Sequence, residues 1–160
     1  MKDIWEKIND NIKIYLKDII NKYNMKVAKI NNLATVLISK NFALVITLDR
    51  FDANVSYALR AKNNELVILL CDNYFAERYD KDDRKNLIAG DGAEIYIKNS
   101  LSVINNGLIN KWSDVLEGKY DWIDKFKKSR WYAVRRPNDI EREIISKYIW
   151  EDSIGYKKVQ

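Results

Sequence analysis

MKVAKINNLATVLISKNFALVITLDRFDANVSYALRAK, residues 25–62, alternates its side chains with a period of two. Met25 and Val27 are followed by Leu33, Thr35 and Leu37, then by Phe42, Leu44, Ile46 and Leu48, and finally by Val55, Tyr57, Leu59 and Ala61. A period of two puts successive side chains on opposite faces of a strand, so each run reads as a strand with one buried face. Asn at 31 and 32, Lys40 with Asn41, and Asn at 63 and 64 supply turn chemistry between the runs. The stretch therefore predicts four antiparallel strands joined as a meander by short hairpins. LVILL at 66–70 reads either as a fifth strand or as the opening of a buried helix, because a short apolar run does not separate the two.

On both sides of the meander the period changes. Residues 3–23 carry Ile4, Trp5, Ile8, Ile12, Tyr15, Leu16, Ile19, Ile20 and Tyr23 at three- and four-residue intervals. That spacing predicts one amphipathic helix of about 20 residues, roughly 30 Å long. Asp3 is its expected N-cap, with Glu6 as in a capping box, and Asn24 suits the left-handed position at its end. After Leu70 the helical period returns. Asp72 is placed to cap a short helix to about Tyr79, and Asp80 or Asp82 a further turn through Ile88. Residues 93–116 form a long helix with Gly107 near its middle and Gly118 at its end, Tyr120 to Phe126 a short one, and NDIEREIISKYIW after Pro137 the last. The order predicts an α+β fold in one domain, 1–160, with an N-terminal helix, a four- or five-stranded meander and a helical C-terminal half. Strands that alternate leave one sheet face for those helices and the other for water.

Composition bounds the function. The 160 residues are 47% hydrophobic and 32% charged, with one Pro and five Gly, which is the balance of a globule. The apolar runs at 42–48 and 66–71 fall far short of the roughly 20 residues that span a bilayer, so no membrane association is expected. Charges thread the first thirteen residues where a signal peptide needs an apolar core, and Cys71 is the only cysteine. A reducing cytoplasm is the expected home. The net charge of +5 is uneven: residues 1–64 sum to +5, 65–118 to −4 and 119–160 to +4. Patches of both signs suit protein partners better than uniform attraction to nucleic acid.

Histidine is absent. That removes Ser-His-Asp and Cys-His nucleophilic systems, imidazole bases and His-bearing metal sites. The glycines form neither G-x-G-x-x-G nor a phosphate loop, so no cofactor is expected. Three charged segments remain. DRFD, with Asp49, Arg50 and Asp52, falls at a hairpin tip, where it is either turn chemistry or a partner contact. DKDDRKNLIAGDGAE offers Asp80, Asp82, Asp83, Asp91 and Glu94. Read as a calcium loop from Asp80 it fails at its sixth position, which is Lys85, and has Asp91 where the twelfth-position Glu belongs. A nuclease would want a catalytic Lys on a strand, and EIYIK at 94–98 reads as helix. Helix-capping acids on a solvated loop are the plainer explanation, and no metal site is expected. Third, residues 119–136 hold seven basic and two acidic side chains among five aromatic rings. Lys127, Lys128, Arg130, Trp131, Arg135 and Arg136 could grip single-stranded nucleic acid, phosphates on the cations and bases on the rings. The same mixture occurs at protein interfaces, or Trp122, Ile123 and Phe126 are core and the lysines merely solvated.

The W-x-x-I of Trp5 to Ile8, LDRFD at 48–52, DKDDR at 80–84, GLINKWSDVLEGKYDWI at 107–123 and FKKSRW at 126–131 together resemble small bacterial α+β immunity proteins of polymorphic or contact-dependent toxin systems. The richness in Asn, Ile and Lys is that of a low-GC bacterial source. The resemblance implies a non-enzymatic protein that binds a cognate toxin and blocks it, with no catalytic residues. Arg50, Asp52, Asp80, Asp82, Asp83 and Asp91 are the expected contacts, as long charged side chains on hairpin and loop tips steer a partner.

Overall fold

The computed structural model describes residues 1–61 and 65–149. The turn expected at 63 and 64 and the end of the last helix at Trp150 lie outside the described residues. The meander forms as read: β1 (Lys26–Asn31), β2 (Ala34–Ile38), β3 (Ala43–Leu48) and β4 (Ala53–Arg60) pair antiparallel in sequence order. Leu66–Leu69 is a strand, β5, and pairs with β4 through Ile68 opposite Ala58. A sixth strand closes the sheet. It is β6 (Val134–Arg135), set beside β5 by Leu69 opposite Val134, with the Leu70 amide donating to the Ala133 carbonyl. Two residues carry no periodicity, so this strand was invisible in the pattern.

Alternation sorts the sheet into two faces. Leu37, Leu44, Ile46, Val55, Tyr57 and Leu69 point to one side, into the main core. That side is covered by α1 (Ile4–Asp10), α2 (Ile12–Tyr15), α3 (Lys17–Lys22), α4 (Asp72–Ala76), α5 (Ala93–Lys111), α6 (Ser113–Leu116) and α7 (Asp121–Lys127). The other side was expected to be wet, and it is not. Val36, Ile38, Ala43, Val45, Ala58 and Ile68 form a second core under α8 (Asp139–Ile149), closed by Ile145. The helical half is therefore split across both faces. The physical reason stands in β2 and β3 themselves, ATVLI and ALVITL, whose even and odd positions are nearly all apolar and would pay heavily for one open face. A reciprocal capping box starts α8: Asn138 Oδ1 accepts from the Glu141 amide at 2.8 Å and Glu141 Oε1 from the Asn138 amide at 2.9 Å.

The N-terminal helix is three short pieces rather than one. Asp3 caps it as expected, its Oδ1 accepting from the Glu6 amide, and Asn24 takes φ 50° at its end. Asn11 breaks it by returning its side-chain amide to the Lys7 carbonyl at 2.7 Å, the habit that makes Asn a poor helix interior. The long C-terminal helix likewise turns at Trp112, φ −132°, where the buried indole donates to the Phe75 carbonyl at 3.0 Å. The helix expected to reach Tyr79 stops at Ala76, and residues 81–86 form turns instead of a capped helical turn. Asn86, at φ 61°, sits in the left-handed region and ends them.

Two polar ties fix the helices, one to the sheet and one to each other. Buried Asn9 donates to the Asn31 carbonyl at 2.8 Å and accepts from the Thr35 hydroxyl at 2.7 Å, seating α1 on the first hairpin. Asn105 of α5 accepts from the Ile19 amide and donates to Asp18, seating α3. Each tie satisfies groups whose burial alone would cost ~1–3 kcal/mol. With α5 held in this way, its N-terminal half runs beside the β3–β4 turn.

Candidate functional site

The β3–β4 hairpin ends in a tight loop, with the Asp49 amide donating to the Asp52 carbonyl at 2.8 Å, so Arg50 and Phe51 stand at its tip. Beside it α5 brings Tyr96 and Ser100, α4 brings Asp72, and the segment 77–92 brings Tyr79, Arg84 and Leu87. Together they enclose a cleft of about 490 Å³. Its wall at the hairpin is pinned by Ser100, whose hydroxyl donates to Asp52 Oδ1 and accepts from the Ala53 amide. Asn99 holds the opposite wall by donating to and accepting from the backbone of Ile88, at 2.9 and 2.8 Å.

The rim is apolar. Phe51 is 52% exposed, Tyr96 41% and Leu87 38%, and the Phe51 and Tyr96 rings meet edge to face with centroids 6.3 Å apart. Arg50 lays its guanidinium over Phe51 at 5.2 Å, and Asp91 accepts from the Tyr96 hydroxyl at 2.8 Å. The floor is polar. Asp72 Oδ1 accepts from the Val55 amide at 2.9 Å. Its burial pushes the carboxyl up to about 6; the Val55 hydrogen bond acts against that rise and the charge of Asp52 adds to it. Burial likewise raises the Tyr79 phenol, whose oxygen is buried and has no hydrogen-bond partner among the described residues.

The structure thus gathers Arg50, Asp52 and Asp91 of the sequence-expected contacts around one opening, and separates the other three from it. Asp80 and Asp83 are both ion-paired with Lys111, at 3.1 and 3.3 Å. Asp83 is fully buried and also accepts from Asn110 at 2.8 Å and from the Asp80 amide at 2.9 Å, which staples the loop to the far end of α5. Asp82 is at the surface and pairs with Lys85 at 3.1 Å. Among the described residues no group of three or more His, Cys, Asp or Glu side chains could hold a metal ion. Sequence reasoning missed Phe51, Asp72, Tyr79, Leu87, Tyr96 and Ser100. The one available signal was Asp72, an acid placed directly after the buried run LVILLC.

The basic segment divides as well. Lys127, Lys128, Arg130 and Trp131 gather where α7 ends, but the half-buried Trp131 donates its indole N–H to Glu77, and Arg130 covers its ring at 4.6 Å. Arg135, on β6, makes a two-point pair with the buried Glu141 at 2.7 Å. Arg136 turns to a separate cleft of about 400 Å³ beside Arg60 and Arg142. Trp122, Ile123 and Phe126 are core, and Cys71 is fully buried with its thiol raised by that burial. Among the described residues no helix is long and apolar enough to cross a membrane. No protein-family model, curated protein or solved structure matches this chain.

Proposed function

We propose that this chain is a non-enzymatic protein-binding module, an immunity-type inhibitor of a bacterial toxin, and that it meets its partner at the mouth of the cleft between the β3–β4 turn and α5. One observation carries this reading. Two segments far apart in sequence expose three large apolar side chains, Phe51, Leu87 and Tyr96, around a single opening, with the exposed Ile88 next in sequence to Leu87. Such rings, flanked by an arginine and acids, have the composition of interface hot spots. The partner surface is basic: Asp49, Asp52, Asp72 and Asp91 outnumber Arg50 and Arg84 here, while Glu94 and Lys98 offset each other in a pair at 3.0 Å.

The single-stranded nucleic-acid reading has less support, since the ring best placed for stacking is covered by the chain's own Arg130. A growth assay tests the proposal. If a toxin is encoded beside this chain's gene, co-expression of this chain should rescue cells that express it, and Phe51→Ala with Tyr96→Ala should abolish rescue while the purified variant stays folded. No rescue by the unaltered chain, or full rescue by the folded double variant, would contradict it.

A further inference from the structure

The rim indicates where a partner sits, and the floor indicates what it brings. Asp52 and Asp72 each commit one oxygen to the fold: Asp52 Oδ1 to the Ala53 amide and the Ser100 hydroxyl, Asp72 Oδ1 to the Val55 amide. Among the described residues, Oδ2 of neither accepts a hydrogen bond. Among the described residues no ion pair reaches Asp72, whose carboxyl is acted on by burial, the Val55 amide and the like charge of Asp52. Arg84, the basic side chain in this lining, turns Nη1 to the Asp80 carbonyl at 3.1 Å. Neither carboxylate is ion-paired among the described residues, which is costly for the partly buried Asp72, and a structural ion pair would have supplied the missing cation. Above them Phe51 and Tyr96 offer aromatic walls that suit the aliphatic stem of a long basic side chain, and their ring faces suit its charged head.

We infer that this cleft is the socket for one cationic side chain, a lysine or an arginine, of the protein partner, seated between Asp52 and Asp72. The inference rests on the protein-binding reading and gives that interface its anchor. It explains why the chain keeps an uncompensated acid at the floor: the countercharge arrives with the partner, so a partner lacking it leaves the partly buried Asp72 carboxylate unpaired as it covers the cleft, and is rejected.

Titration of the ¹⁵N-labelled chain at pH 7.5 tests it with three probes: N-acetyl-arginine methylamide, N-acetyl-lysine methylamide and the uncharged N-acetyl-citrulline methylamide. A single side chain without its protein should bind in the millimolar range. The amides of Ala53 and Val55, which report on the two carboxylates, should shift saturably with at least one cationic probe and not with citrulline. Asp72→Asn and Asp52→Asn should each weaken that binding at least tenfold. Asparagine keeps an oxygen for the Val55 or Ala53 amide, and unchanged resonances elsewhere verify the fold; if one variant fails to fold, the other decides. Absence of shifts with both cationic probes, or equal shifts with citrulline, overturns the socket and leaves the wider reading standing. Probe binding by a chain that binds no toxin would instead sink the wider reading alone.

Discussion

The carboxyl of Asp72 offers a perturbation whose sign runs against the usual one. Most substitutions within a packed region destabilise, whereas Asp72→Asn should stabilise the protein at neutral pH. Burial pushes this carboxyl from its ordinary 3.8 up to about 6. The native state therefore holds the proton more tightly than the unfolded chain, and between those two values it binds more protons. Stability contributed by the protonated carboxyl is complete below pH 3.8, falls as pH rises through the window up to about 6, and is gone above it. At about 1.36 kcal/mol per tenfold change in proton affinity, the ionised group costs on the order of 3 kcal/mol at pH 7.5. Asparagine removes the charge and keeps an acceptor for the Val55 amide. Urea unfolding followed by tryptophan fluorescence should find the variant more stable by roughly 1–3 kcal/mol at pH 7.5, with the two proteins converging near pH 4. A variant that is less stable at pH 7.5, or a difference that does not shrink on acidification, would refute the view of Asp72 as an uncompensated buried acid. The same substitution should weaken partner binding, so the acid would exchange stability for function.

Three further outcomes follow from the packing. A Cβ at Gly107 would stand 2.3 Å from the Tyr79 ring, so Gly107→Ala should lose about 1–3 kcal/mol in the same unfolding assay despite alanine's better helix propensity. Glu141→Ala removes both the Arg135 pair and half of the capping box of α8, and about 2 kcal/mol of stability should go with them; Arg135 is partly exposed, which keeps the loss below that of a fully buried pair. Single-stranded oligonucleotides should bind weakly at 0.15 M salt and no differently to Trp131→Ala, as judged by fluorescence anisotropy. Tight, salt-sensitive binding lost in that variant would restore the nucleic-acid reading.

How much of this was legible in the sequence depended on the range of each interaction. The meander and the tip of its third hairpin, Arg50 and Phe51, follow from period-two alternation and local turn chemistry. The wet face was a misreading of β2, β3 and β5: their near-continuous apolar runs already carried the signature of a sheet covered on both sides, and the alternation of β4 drew attention away from it. The floor of the cleft was legible only in Asp72, an acid that follows a buried run. Asp52 meets Ser100 across 48 residues and Asp72 meets Val55 across 17, contacts that no local pattern encodes. Asp83 illustrates the converse, since a cluster of acids looks solvated in sequence until Asn110 and Lys111 arrive from another element to bury one of them.

Hydrogen exchange of the backbone amides, measured with and without the proposed toxin partner, tests the central claim most directly. The account predicts slowed exchange confined to residues 49–53 and 87–96 in the complex, the two sides of one opening. Protection centred on 119–136, or no change anywhere when the toxin is present, would contradict it.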